Sequence, residues 1–304
     1  MIKEYMGLVR KNEDGSELVN YNDPAFPAYI YDGNVYKGCT WEKVPHYHED
    51  VEIVSLYSGK MAYSVNGKII EMKKGDTIFI NSGCVHYSIA PEERLARYII
   101  AVIHPKILCS SYAVEKKAVN PIIHDKSVPY IIFKKDDFDS DDLMKAMFQL
   151  HDKAEGNEFL ITKRFFEIWE IIMNRFTDAY RVHIEHMDEV DQHNQSFKDM
   201  MQFIAENYDE TITLKCIANA GNVGTSLCNQ IFNKLTGMAP VEYLMHYRSR
   251  KVAELLTSSS LPMGEIARVT GFSGASYMSE VFKRYHNISP REYRKQMREG
   301  TRLV

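Results

Sequence analysis

Residues 223–234 read Val-Gly-Thr-Ser-Leu-Cys-Asn-Gln-Ile-Phe-Asn-Lys, and residues 273–284 read Ser-Gly-Ala-Ser-Tyr-Met-Ser-Glu-Val-Phe-Lys-Arg. At an offset of 50, Gly224, Ser226, Ile231 and Phe232 fall on Gly274, Ser276, Val281 and Phe282. Each copy follows an Ile-Ala pair (Ile217-Ala218, Ile266-Ala267) and precedes a Pro-x-Glu-Tyr (Pro240 to Tyr243, Pro290 to Tyr293). Helix, tight turn and helix, written twice in one chain, point to two DNA-reading units side by side.

In the first unit, Leu214, Ile217 and Ala218 form the leading helix, Gly221-Asn222 the turn, and about Thr225 to Leu235 the recognition helix. Leu227, Cys228, Ile231 and Phe232 face inward on helical spacing. Thr225, Ser226, Asn229, Gln230 and Asn233 are left outward, with Lys234 beside them as a cation for the DNA backbone. Asn and Gln pair bidentately with adenine. On an isolated helix they would be a plain polar face; behind a helix and a tight turn they are placed for DNA. In the second unit, Tyr277, Met278, Val281 and Phe282 face in, Ala275, Ser276, Ser279 and Glu280 face out, and Lys283 and Arg284 suit phosphates. Ser289-Pro290-Arg291-Glu292 is a capping box with Pro at the first helical position, and Ser196 with Asp199 reads as another. Between the units, Pro240 to about Thr257 reads as one helix of about 25 Å at 1.5 Å per residue. Such a rod can hold two recognition helices near one DNA turn apart, about 34 Å.

Charge agrees with this division. The chain carries a formal −4, but residues 196–304 hold 14 Lys/Arg against 10 Asp/Glu, so a basic end is joined to an acidic body. Its 304 residues predict two or three domains, and 45% hydrophobic content supports real cores. The sequence offers no apolar run long enough to span a membrane, and the polar start, Met1 to Gly15, does not read as a signal peptide. Five scattered cysteines without a Cys-x-x-Cys fit a reducing cytoplasm rather than a disulfide framework.

Upstream, from about Ala28 to Ile103, short β-rich runs alternate with turns. Asn66-Gly67 between two such runs is a hairpin signal, because both residues tolerate positive φ, and Lys74-Gly75-Asp76 marks another turn. Many short strands at close spacing predict a β-barrel or jelly roll. Within it lie His46, His48, Glu52 and His86. On a strand, 46, 48 and 52 share a face. Three imidazoles and a carboxylate admit a divalent metal. The same groups can instead line a metal-free pocket and hydrogen-bond the hydroxyls of a small molecule, or be structural. The metal-free pocket, without a cofactor, is the preferred expectation, with Trp41, Tyr63 and Asn81 as further effector-binding candidates. An aromatic face such as Trp41 or Tyr63 stacks on sugar C–H groups or serves as ordinary barrel wall.

The middle of the chain reads as helices. Leu143, Met147 and Leu150 mark one over 141–152; Ile161, Phe165, Ile168, Trp169, Ile172 and Phe176 mark a second over 157–176, with Phe159, Phe166 and Met173 on a neighbouring face. That wide apolar arc packs within the chain or pairs with a second copy; a homodimer is expected, because linking two half-sites raises affinity. Arg181 to Gln195 reads as a linker. The chain then divides into a sensor and dimerisation domain at 1–180, the linker at 181–195 and a DNA-binding domain at 196–304, an α+β multidomain protein overall.

These residues resemble two known patterns. Residues 196–298 resemble the DNA-binding domain of the AraC/XylS family at Ile217-Ala218, Phe232, Thr236-Gly237, Pro240, Glu242-Tyr243-Leu244, Arg248, Ile266-Ala267, Gly271-Phe272, Ser276-Tyr277, Phe282-Lys283, Ser289-Pro290 and Tyr293-Arg294. His46-x-His48, Glu52, Gly59, Gly75, Gly83 and His86 resemble the cupin pattern, with Asn81 where Pro is usual. The resemblance implies a cytoplasmic transcription activator that binds a small effector, often a sugar, in its N-terminal barrel, binds direct repeats in double-stranded DNA and recruits RNA polymerase. It departs at Glu280, where the family usually has a basic residue, and at Asn287, where it usually has Gly. The rival expectation is a metal-dependent cupin enzyme using His46, His48, Glu52 and His86, with a DNA-binding appendage; the leading one assigns no catalysis.

Overall fold

A computed structural model describes residues 16–37, 39, 42–91, 95–152, 157–184 and 193–298. The described residues up to 184, apart from Cys39, form one compact unit and those from His193 onward a second.

The first unit holds eight strands: β1 (Ala28–Val35), β2 (Val51–Ser58), β3 (Lys60–Val65), β4 (Lys68–Lys73), β5 (Thr77–Ile80), β6 (His86–Ile89), β7 (Ala96–Ile103) and β8 (Tyr130–Phe133). They form two antiparallel sheets, ordered β1-β7-β2-β5-β8 and β4-β3-β6. The expected barrel is thus a pair of sheets. Chain passes from one to the other at Gly59, where φ is +82° and an added Cβ would stand 2.9 Å from the Leu95 carbonyl oxygen. The β3–β4 turn carries φ of 48° at Asn66 and 80° at Gly67, as a type I′ hairpin requires. The Asn66 side chain also accepts the Val85 N–H at 3.0 Å, tying that hairpin to the start of β6.

Strand β2 is buried on both faces over Val51 to Leu56, which is why it reads as a nearly unbroken apolar run. Val51 and Ile53 join the core formed with the helical layer. Alternation turns Glu52 the other way, toward the three-stranded sheet, where Tyr63 of β3 meets it. Short helices α1 (Tyr112–Val114) and α2 (Asn120–Ile123) follow β7; α3 (Ser140–Asp152) and α4 (Glu158–Ile184) cover the outer face. Leu143, Met147 and Leu150 of α3 and Ile161, Phe165, Ile168, Trp169 and Ile172 of α4 pack on the five-stranded sheet. Trp169 donates its indole N–H to the Ala118 carbonyl at 3.0 Å, so the ring is buried without losing its hydrogen bond. Helix α4 runs past 180 and the next begins at Asn194, so both ends of the span read as linker are helical; 185–192 lie outside the described residues.

The second unit is helical: α5 (Asn194–Asn207), α6 (Leu214–Ala220), α7 (Thr225–Thr236), α8 (Pro240–Ser258), α9 (Met263–Val269), α10 (Ala275–His286) and α11 (Pro290–Arg298). Helix α5 starts two residues before Ser196, and no side chain caps it; that capping box is not used. The one at Ser289 is: its hydroxyl accepts the Glu292 N–H at 3.2 Å. Helices α7 and α10 are both 12 residues long and end on left-handed residues, Gly237 at φ 69° and Asn287 at φ 59°. Asn thus replaces Gly at the second cap without changing the geometry.

Candidate functional site

The loop ahead of β2 carries His46 and His48, β2 carries Glu52 and the start of β6 carries His86. His46 and His86 exchange both backbone hydrogen bonds, at 3.1 and 2.9 Å, which sets their side chains next to each other. Each imidazole is aimed by its own Nδ1: His46 to the Val44 carbonyl at 2.8 Å, His48 to that of Asp50 at 3.0 Å and His86 to that of Cys84 at 2.9 Å. A carbonyl only accepts, so every Nδ1 carries its proton and every Nε2 is left for the interior.

Those Nε2 atoms converge. Glu52 Oε2 lies 3.2 Å from His86 Nε2 and 3.6 Å from His48 Nε2, while Tyr63 donates its hydroxyl to Glu52 Oε1 at 2.9 Å. One donor atom from each of His46, His48, Glu52 and His86 falls within 4.8 Å of all the others. His48, Glu52 and His86 are buried, and the His48 Nε2 has no hydrogen-bond partner. Burial, then the neighbouring His86, holds the His46 imidazole well below its ordinary value and so neutral. For His48, burial acts downward, but the carboxylates of Glu52, Glu17 and Asp50 override it and raise the imidazole to about 9. Glu52, pushed up by burial, is carried well below the carboxylate range by His86 and His48.

This donor set fits a divalent cation of the imidazole-binding kind, such as zinc, iron, nickel or copper. Two donors each about 2.1 Å from one ion stand about 3.0 to 3.4 Å apart, and the 3.2 and 3.6 Å separations of Glu52 from His86 and His48 lie near that range. The carbonyl-anchored Nδ1 atoms are the outer shell that metal-binding histidines usually have.

Of the other effector candidates, Tyr63 belongs to the cluster. Asn81 does not: its amide donates to the carbonyls of Ile122, Asp125 and Val128 at 2.8, 3.2 and 3.1 Å, and its oxygen accepts the Ser82 N–H at 2.8 Å. Its amide nitrogen holds the end of α2 and the chain beyond it while its oxygen holds the adjacent Ser82, so Asn81 acts as a structural clamp. Trp41 lies outside the described residues. The sequence reading missed Glu17, whose Oε2 stands 3.3 Å from His46 Nε2. It lies 29 residues before His46, in no motif.

In the second unit, Cys228, Ile231, Phe232 and Leu235 of α7 and Met278, Val281 and Phe282 of α10 are buried. Thr225, Ser226, Gln230, Asn233 and Lys234 are exposed and Asn229 half-buried; on α10, Ser276, Glu280, Lys283 and Arg284 are exposed and Ala275 and Ser279 half-buried. The turn before α7 has Asn222 at φ 53° and that before α10 has Gly271 at φ 73°. Asn229 and Asn233 donate to the carbonyls four residues back, at 2.9 Å each, so reading a base requires them to turn outward. Glu280 accepts from Arg284 at 3.3 Å. Tyr277, expected inside, is 44% exposed at the first turn of α10, its ring edge on Phe272. It belongs to the outward face, a position that spacing of apolar residues alone assigns to the core.

Residues 217–296 match a helix-turn-helix domain family and residues 36–102 a cupin domain family. An uncharacterized HTH-type transcriptional regulator, YdeC, of Bacillus subtilis is 24% identical over 283 residues, 92% of this chain and 95% of that protein. The melibiose operon regulatory protein of Escherichia coli K12 is 24% identical over 257 residues, 82% and 83% of the two chains. The lactose operon transcription activator of Staphylococcus xylosus is 26% identical over 168 residues, 54% and 58%. Among solved structures, ToxT of Vibrio cholerae aligns with 91% of this chain and 97% of its own at 12% identity, TM-score 0.45.

Proposed function

We propose that this DNA-binding transcriptional regulator of the AraC family is a homodimeric, ligand-responsive activator whose cupin domain reads a saccharide. The observation that carries the reading is the pairing of α7 and α10: two helices of equal length behind tight turns, apolar inside, polar and cationic outside. In this reading Asn229 and Gln230 address adenine edges, and Glu280 accepts from cytosine N4. Thr225, Ser226, Asn233, Ala275, Ser276 and Ser279 complete the two faces, while Lys234, Lys283 and Arg284 take phosphates. The names of the melibiose and lactose operon relatives support a sugar effector. The regulator works in the cytoplasm, recruiting RNA polymerase; no helix among the described residues is long and apolar enough to cross a membrane.

His46, His48, Glu52 and His86 hold a divalent cation in this reading, with Tyr63 positioning Glu52. When bound, the ion supplies a Lewis-acid position for a ligand oxygen. We assign the cluster to sensing and not to turnover. Effector binding then shifts the balance between two arrangements of the DNA-binding units, which requires different affinity for the two.

The second copy docks on α4. Phe159, Phe166 and Met173 recur every seven residues on its outer side and are exposed, Phe159 at 83%. Lys163 and Glu170 flank them on the same surface. In an antiparallel pair centred between residues 166 and 167, each Lys163 faces the partner's Glu170, so the face is self-complementary in charge as well as apolar.

Thermal melting of the full chain against pentoses, hexoses and glycosides, with and without chelator, tests the sensor. A ligand at 100 times its dissociation constant adds about 2.7 kcal/mol. Footprinting on the chain's own promoter region, with and without the active sugar, tests the regulator. A sugar that shifts melting and alters the footprint supports the reading. Turnover of that sugar by the metal-loaded protein would favour the cupin enzyme instead.

A further inference from the structure

Strand pairing carries one row of residues across the five-stranded sheet. Tyr29 of β1 pairs with Val102 of β7, Val102 with Glu52 of β2, and Glu52 with Ile80 of β5. Directly paired residues of antiparallel strands share a face, so Tyr29 stands on the same side as Glu52. The next row on that face is Tyr31, Ile100, Val54 and Ile78. Ala28 and Ile30 alternate with the two tyrosines and point the other way, into the core formed with α3 and α4. The inner face is filled unevenly. Val54, Ile78 and Ile80 are buried, whereas Tyr29, Tyr31 and Ile100 are only half-buried. It is therefore open over β1 and β7, on the side toward which Glu52 turns. There the Tyr29 and Tyr31 rings lie side by side, with centroids 6.0 Å apart and planes inclined by 23°. Beyond them the Tyr98 ring lies over Gly33, where an added Cβ would stand 2.7 Å from it.

We propose that Tyr29 and Tyr31 are a stacking wall of the effector pocket: they take the C–H face of a sugar ring whose hydroxyls turn toward Glu52. This rests on the saccharide reading above and adds to it the residues that select for the shape of a ring face. Two strand intervals of about 4.8 Å separate Tyr29 from Glu52, about 10 Å in all. Val102 and Ile100 of β7 form the floor between them, and their side chains offer no hydrogen bond. A ligand lying on that floor meets aromatic faces on one side and polar groups on the other. A saccharide has both surfaces, flat patches of C–H and a rim of hydroxyls. A wholly apolar ligand would bring nothing to bond the carboxylate and imidazoles, and a wholly polar one would gain nothing from the rings. Two large rings left half open on a concave face also forgo part of the stabilisation of burial, and a sugar face laid on them restores it. The two rings, set nearly parallel, favour a ligand with an unbroken C–H face over an epimer whose axial hydroxyl interrupts it.

The test is calorimetric titration of the full-length protein with melibiose, lactose, D-galactose and D-glucose. The wild type is compared with Tyr29→Leu, Tyr31→Leu and the two matching Phe variants. Leu keeps apolar bulk without a flat face, and Phe keeps the ring without the hydroxyl. Equal melting temperatures of the sugar-free proteins establish that the variants fold. Proton NMR of the bound sugar gives a second readout that the wild type supplies alone, since a ring stacked on a C–H face shifts those protons upfield. Expected are binding of at least one of the four sugars, with upfield C–H signals, and binding weaker by about 3- to 10-fold in each Leu variant, the scale of one aromatic contact. The Phe variants lose less and keep the upfield signals. Phe variants that lose as much as the Leu variants would overturn stacking in favour of the hydroxyls. A sugar that binds the wild type without upfield signals and binds both Leu variants equally well would overturn the wall and leave the saccharide reading standing. No binding of any of the four by the wild type would overturn both.

Discussion

The guanidinium of Arg248 lies against Gly271: a Cβ added at that glycine would stand 2.8 Å from Arg248 Nη2 and 2.4 Å from the Tyr208 carbonyl oxygen. Arg248 itself donates to the carbonyls of Tyr208 and Glu210, both at 2.6 Å, just beyond the C-terminus of α5. A buried cation on α8 thereby ties the first helix of the unit to the turn of its second helix-turn-helix.

Gly271→Ala should therefore be far more damaging than a change at another left-handed glycine. Its φ of 73° alone costs a non-glycine residue about 1–2 kcal/mol, and the added methyl meets backbone oxygen rather than a flexible tip. Gly237→Ala, exposed and with φ 69°, should cost only the conformational part. Urea unfolding of the two variants compares them directly; equal losses would contradict the role given to the Arg248 contact.

Base reading and backbone binding should separate by residue. Asn229→Ala and Gln230→Ala are expected to lower discrimination by about 1–3 kcal/mol per lost contact, with weak-site affinity nearly unchanged. Lys283→Ala should weaken all DNA alike and reduce the salt slope by about one. Glu280→Ala, which frees Arg284 from its 3.3 Å partner, should strengthen binding to non-cognate DNA. Fluorescence anisotropy on matched and scrambled duplexes across a salt series reads all four; unaltered specificity in both Asn229→Ala and Gln230→Ala would displace α7 from the base-reading role.

Phe166→Glu places a charge at the centre of the outer α4 face without entering the core, since Phe166 is 36% exposed while its neighbours Phe165 and Trp169 are buried. The full-length variant is expected to sediment as a monomer and keep its melting profile at high dilution. A variant that remained a dimer would remove α4 from the interface.

The DNA-binding unit should lose stability in mild acid. Burial, then the charges of Arg250 and His286, depresses His246 to about 3; burial and Arg250 depress His286 to about 4, against a Ser249 carbonyl bond that acts upward. Both are neutral when folded, whereas an unfolded histidine protonates near 6.5. Their stability is thus complete above pH 6.5 and is lost as pH falls from there toward 4, by an amount on the order of 3 kcal/mol for His286 alone at about 1.4 kcal/mol per pH unit. His286→Gln should flatten that part of the profile. A melting temperature independent of pH between 6.5 and 4.5 would refute it.

The helical half was legible because its rules are local. Helical spacing, Gly237 and Asn287 at left-handed caps and Pro240 and Pro290 at first turns each act within a few residues. The sheet half was legible only at its turns, such as Asn66-Gly67. That Glu52 faces inward follows from alternation, but its meeting with His86 joins residues 34 apart through strand pairing, which no local pattern encodes. The helices after β7 were missed because that stretch has no clear apolar period. Asn81 was misplaced because the segment it clamps, residues 122–128, is distant in sequence. Glu17 reaches the cluster through a single backbone bond to Tyr47 and left no trace in composition or spacing.

The repeat at an offset of 50 separates two kinds of selection. Cys228, Ile231 and Phe232 superimpose on Met278, Val281 and Phe282, all buried, and determine whether each module folds. The outward pairs Asn229 and Ser279, Gln230 and Glu280, Asn233 and Lys283 carry different chemistry and make little of the core. If these faces read bases as proposed, substitutions there would rewrite one half of the recognised DNA and leave the other half and the folding of both modules alone, so the chain would drift from one operator to another by single steps, each leaving a stable protein.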